Sequence, residues 1–148
     1  MRYIRFSILA VVLFLIADTG SDVFNRVYIL DETPRFALFD HVHWASVEII
    51  GTLFLLTPFL VVGLVAAWLE VRVSSLKTWA IFGIANLFLL YQYFVAYESA
   101  ARASLAKHWT AAALSIGFLP LLAIPFAIIV ALVGFGIASL SVGPEDGS

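Results

Sequence analysis

Apolar positions in this chain fall into four long runs separated by short clusters of charge. The first covers residues 3–17. Its uncharged part, 6–17, has only 12 residues, short of the ~20 that cross a hydrocarbon core. Arg2 and Arg5 can snorkel at one end. At the other, Ile16, Gly20, Val23, Phe24 and Val27 recur at spacings of three and four and predict that the helix continues. Asp18, Asp22 and Arg26 then lie four apart on the opposite face, where Asp22 and Arg26 can pair. This start also has the charged lead and apolar run of a secretory signal. Leu15 and Asp18 flank a poor cleavage point, so retention as a helix is the expectation.

Residues 30–40 are the most polar stretch before the tail. Pro34 is expected to keep them out of a helix, with Phe36 and Phe39 laid on the membrane surface. Asp40 is the expected N-cap of a second helix, whose membrane span is placed at about 46–69. Residues 49–69 supply 21 positions without charge, a full crossing. Pro58 should kink this span, with Thr57 able to serve freed backbone groups. Trp44 and Trp68 mark its two interfaces. The third span is placed at 78–97, with Trp79 at its entrance. It is expected to run on as an alanine-rich polar helix in which Glu98 and Arg102 pair. Residues 109–144 carry no charge over 36 positions. That is too many for one straight crossing and too few for two with a turn. Pro120 and Pro125 predict one long, kinked span, at about 112–141, after an interfacial start. The sequence GFGIA at 134–138 is a small-residue pattern that permits close helix approach. Residues 143–148 form a short acidic tail, expected to be disordered.

The expected fold is therefore an all-α membrane protein, a single domain built as a four-transmembrane-helix bundle with both termini on the same side. Composition agrees. Of 148 residues, 63% are hydrophobic and 12% charged, and the mean hydropathy is +1.05. A soluble domain of this size could not hide that much apolar surface. The absence of cysteine removes disulfides, thiolate metal sites and CxxC redox chemistry. A net charge of −2 with no basic patch argues against nucleic acid. Lys and Arg divide evenly between the two sides. The short flanks bearing Arg2, Arg5, Arg72 and Lys77 decide the orientation and place both termini in the cytoplasm, in a membrane of the bacterial inner (plasma) membrane type.

Helical rise brings one constellation to a common level. Glu48 on span two and Tyr97, Glu98 and Arg102 on span three share one membrane face, near Asp18, Asp22, His41 and His43. On a continuous second helix, His41, Glu48, Gly51 and Thr52 form one stripe. On the third, Asn86, Tyr93, Tyr97, Ala100 and Ser104 form another. One reading is a polar vestibule with an acidic rim that attracts cations or protons. The other, preferred here, makes Glu48 a headgroup-zone residue bonded to a tyrosine or arginine, and Asn86 helix–helix glue.

Metal binding is not expected. His41 and His43 are two apart and face different ways on a helix, and paired ExxH or HExxH patterns are missing. All three histidines sit near span ends, so no deep bis-histidine haem site can form. There is no GxSxG and no Gly-rich phosphate loop, and no cofactor is expected. The chain is thus read as a non-catalytic membrane protein, an accessory subunit or binding partner in a membrane complex. Its partners are the lipid bilayer and either other subunits or further copies of itself. An oligomeric ion or small-solute transporter with an acidic outer vestibule is the alternative. A membrane enzyme acting on a lipid or quinone, using Glu48, His43 and Arg102, ranks third.

Overall fold

The computed structural model describes residues 1–141, and these are all helical apart from short connections. The expected tail, 143–148, lies outside the described residues. Helix α1 (Arg2–Leu15) passes through a π-helical turn (Ile16–Gly20) into α2 (Ser21–Ile29). Helix α3 (Pro34–Val47) leads to α4 (Ile49–Leu69). Helix α5 (Ser75–Leu105) is followed by α6 (Trp109–Gly117) and α7 (Leu119–Ser141). Four stretches are long and apolar enough to cross a membrane: Arg2–Ile29, Ile49–Leu69, Ser75–Leu105 and Trp109–Ile137.

Helix α4 is the centre of the packing, touching α1, α5 and α7. Gly63 lets α1 come close. A Cβ there would stand 3.0 Å from the Phe6 carbonyl oxygen and 3.1 Å from Ala10 Cβ. Gly134 plays the same part for α7, where a Cβ would meet Leu69 Cδ1 at 2.8 Å. The Ala138 half of that small-residue pattern lies outside the described side chains. The start of α1, the end of α4 and the last turns of α7 meet at one end of the bundle. There Arg5 pairs with Glu70, and Trp68 stacks on Phe135 with ring centroids 5.8 Å apart.

Pro58 removes the N–H that would bond the Phe54 carbonyl. The hydroxyl of Thr57 donates to the Leu53 carbonyl at 3.0 Å, and Tyr93 Oη on α5 donates to the Leu55 carbonyl. These bonds brace the carbonyls on either side of the freed one, one from its own helix and one from a neighbour. Helix α5 stops where Lys107 takes a left-handed conformation (φ 62°). The backbone N–H of His108 then bonds the Ala103 carbonyl and that of Lys107 the Ser104 carbonyl, a closed C-terminal cap.

Two expectations are corrected. Pro34 does not keep residues 30–40 out of a helix. It occupies the first position of α3, where its missing N–H costs nothing, and Thr33 caps that helix by accepting from the Phe36 N–H. Asp40 is therefore an interior residue of α3. Second, no continuous helix joins His41 to Thr52. Glu48 interrupts the helix (φ −100°, ψ 52°), so α4 begins at Ile49, and His41, Glu48, Gly51 and Thr52 reach one cleft from two helices and not along one. The structure also shows which way the polar face of α2 points: inward. Ala17, Asp18, Ser21 and Asn25 are buried while Ile16, Phe24 and Tyr28 are exposed. In lipid an exposed apolar face costs nothing and an exposed charge is expensive, so the amphipathic pattern inverts relative to water.

Candidate functional site

The inverted face of α2 carries the site. The π turn inserts a widened coil between α1 and α2, a distortion common at functional positions. It holds Asp18 on the bundle side, and Asp22 follows one turn later. Helix α3 lies alongside and presents His41, which is buried with Ala37 while Phe36, Phe39 and Val42 stay exposed. Such a helix suits a headgroup boundary.

His41 is held between two carboxylates. Its Nδ1 is 2.9 Å from Asp22 Oδ2 and its Nε2 is 3.3 Å from Asp18 Oδ2. Thr19 Oγ1 also approaches Nε2, at 3.2 Å. A ring nitrogen facing a carboxylate must donate, and here both do, so the geometry calls for the imidazolium. Burial alone would lower the His41 pKa, but hydrogen bonds to Asp18 and Asp22, together with their charges, outweigh it and push it up to about 9. The remaining oxygen of Asp18 accepts from Tyr97 Oη on α5. Arg26, a turn beyond Asp22, donates through Nε to Glu32 and through Nη1 to Asp40, both at 2.8 Å, and stands 3.8 Å from Asp22. Helix α3 is therefore fastened at two points, through His41 and through Asp40.

Beside this network is a cleft of about 430 Å³. Asp18, Asp22, Arg26, His41, Glu48 and Tyr97 form its polar wall. Phe54 and Leu55 of α4, with Ile116 and Pro120 from the α6–α7 junction, form its apolar wall. Glu48, exposed at the α3–α4 break, makes no ion pair among the described residues.

Of the residues singled out from sequence, the structure gathers Asp18, Asp22, His41 and Tyr97 into direct contact and sets Glu48 on the same cleft. Tyr93 lies further along α5 and serves the Leu55 carbonyl. Asn86 is buried two turns further still, donating to the Phe82 carbonyl of its own helix at 2.7 Å with Oδ1 left unbonded. His43 is exposed against Trp44. Arg102 turns outward to Glu98, with Nη2 at 2.8 Å. Neither joins the cluster. Thr19, Glu32 and Asp40 belong to the network but were not expected there. The four-residue spacing of Asp18, Asp22 and Arg26 signals one face, but nothing in it shows that the face points inward or that α3 covers it.

Away from this end the interior is closed. Phe14, Phe59 and Tyr93 pack edge to face with centroids 5.2 to 6.4 Å apart. Phe6, Trp79 and Phe82 form a second aromatic group beyond them. Among the described residues, the buried polar atoms past Tyr97 include the Tyr93 hydroxyl, Gln92 Oε1, Asn86 and Thr78; Tyr93 bonds the Leu55 carbonyl, Asn86 and Thr78 bond back to their own helix, and Gln92 Oε1 and Asn86 Oδ1 are left unbonded. Comparison with protein-family models, with curated proteins and with solved structures finds no match to this chain. What the fold and site define is a class: an all-helical chain with four membrane-length helices and a buried network of charges at one end.

Proposed function

We propose that this chain is an integral membrane protein without catalytic activity that serves as a subunit or binding partner in a membrane assembly. The observation that carries this reading is the closure of the charge network. Both ring nitrogens of His41 face carboxylates, and Arg26 is taken up by Glu32 and Asp40. Acid–base or nucleophilic chemistry needs a group free to meet a substrate, and these groups hold helices together instead. The helix surfaces support a partner role. Only 22 to 33% of the most apolar window of each membrane-length helix is buried within the chain. The rest is left for lipid or for other helices, including further copies of this chain. The α1 start and the later turns of α7 both pack on the end of α4, which favours both termini on one side, and the short flanks with Arg2, Arg5, Arg72 and Lys77 favour the cytoplasm.

Extraction in a mild detergent followed by mass measurement of the native particle tests this. A stoichiometric second component is expected. Recovery as a discrete single-chain particle would overturn it. The cleft favours a second reading, transport of a small solute. The aromatic packing of Phe14, Phe59 and Tyr93 beyond the cleft favours a route between copies over one through a single copy. Flux into liposomes that is equal for the wild type and Glu48→Gln would remove the acidic wall from any such route.

A further inference from the structure

We propose that the cleft beside His41 is a binding site for a hydrophobic organic cation, a monovalent ammonium or phosphonium centre carried on apolar groups. Three observations converge on that chemistry. The first is charge. Of the five carboxylates gathered here, Asp18, Asp22 and Glu48 line the cleft against two cations, Arg26 and His41, an excess of one negative charge, while Glu32 and Asp40 stand behind Arg26 outside the lining. Lys107 lines the neighbouring groove with Asp22, Arg26 and Glu32, and the sign survives when that groove is counted with the cleft. The second is the unmet group. The other four carboxylates are each bonded to a cation, whereas the Glu48 carboxylate has no ion pair. The third is the opposite wall. Phe54, Leu55, Ile116 and Pro120 offer no partner to a small hydrated ion but suit an apolar body. Trp44 lines the same space and presents an aromatic ring, which attracts organic cations through its quadrupole.

A metal ion is a poorer occupant. Both His41 nitrogens are committed to carboxylates, and no group of three or more His, Asp or Glu side chains among the described residues is arranged to hold one. An anion would meet the charge excess. A volume of about 430 Å³ lies within the usual range of small-molecule sites. The site goes beyond the partner reading and does not depend on it, because a chain purified free of any partner would still bind the cation.

The test uses the full-length chain in a neutral sugar detergent, titrated with tetraphenylphosphonium and, separately, tetraphenylborate. These ions share a shape and differ in sign. Saturable 1:1 binding of tetraphenylphosphonium is expected, with quenching of Trp44 fluorescence that disappears in Trp44→Phe. Tetraphenylborate should show none. Glu48→Gln should weaken the cation about tenfold, the loss of roughly one favourable charge contact. The Glu48 side chain is exposed, so this change leaves the fold intact. Gly117→Leu, at a position where an added Cβ meets nothing within 4 Å, should fill the cleft and abolish binding without altering charge. Equal affinity for the two ions, or affinity unchanged in both variants, would overturn the proposal. Adding phosphatidylethanolamine to the micelles separates the sources of the ligand. A raised apparent Kd assigns the ammonium to a lipid headgroup, an unchanged one to a free amphiphile, and either supports cation binding.

Discussion

The first membrane-length helix is held at its two ends by different physics. At the α1 start, Phe6 is fully buried against Trp79 and Phe82, and the Arg5 guanidinium lies over Phe6 and Trp79 at 5.1 and 5.3 Å while pairing with Glu70. Arg5 keeps 49% of its side chain exposed, so that pair sits over packing that is already complete. At the other end, His41 and Asp18 are only 9% and 5% exposed. Each charge there depends on the next for its compensation. The apolar end is therefore expected to tolerate loss of its ion pair, and the charged end is not. Burial, more than the number of ion pairs, decides which end is fragile.

The largest expected effect is at Asp18. Asp18→Ala leaves the Tyr97 hydroxyl without its partner and the buried imidazolium with Asp22 as its one remaining carboxylate, and should cost about 3 kcal/mol. Unfolding in detergent would measure it, and protease cleavage within α3 should rise in parallel.

The pH dependence comes next. His41 has a folded pKa of about 9, above its ordinary 6.5. Its contribution is therefore complete below pH 6.5 and is lost as the pH rises through about 9. Melting temperature should fall across that window, and His41→Gln should flatten the fall.

Between the ends, Tyr93→Phe removes the donor to the Leu55 carbonyl beside the Pro58 kink, an expected loss of about 1 to 3 kcal/mol in the same unfolding assay. The smallest effect belongs to the apolar end. Glu70→Gln should change stability by less than about 1 kcal/mol. A larger loss there would erase the contrast between the ends.

The four apolar stretches were legible because lipid demands length and lack of charge, and both are written directly in residues 49–69 and 78–97. The stripe Asn86, Tyr93, Tyr97, Ala100 and Ser104 was legible too: the first four are buried and Ser104 is half-buried. The charge network was only half legible. Spacing placed Asp18, Asp22 and Arg26 on one face, and helical rise brought His41 to their level. Their inward turn was not legible, because a four-residue spacing defines a face and not the direction in which it points. Helix α3 was hidden for a local reason. Pro34 reads equally as a helix breaker and as a first helical residue, and only the Thr33 cap and the neighbouring Arg26–Asp40 pair settle which. The break at Glu48 has no proline or glycine to announce it. It separates a helix fastened to α2 from one packed between α1 and α7, a tertiary cause that local sequence does not carry.

The central claim is that His41 and Asp18 act as one unit that fastens α3 to the bundle. A double-mutant cycle tests it most directly: the unfolding free energies of the wild type, Asp18→Asn, His41→Gln and the double variant, measured at pH 7 in one detergent. A coupling of about 2 kcal/mol or more is expected, the range for groups in direct contact within one network. Additive losses, with a coupling near zero, would contradict it.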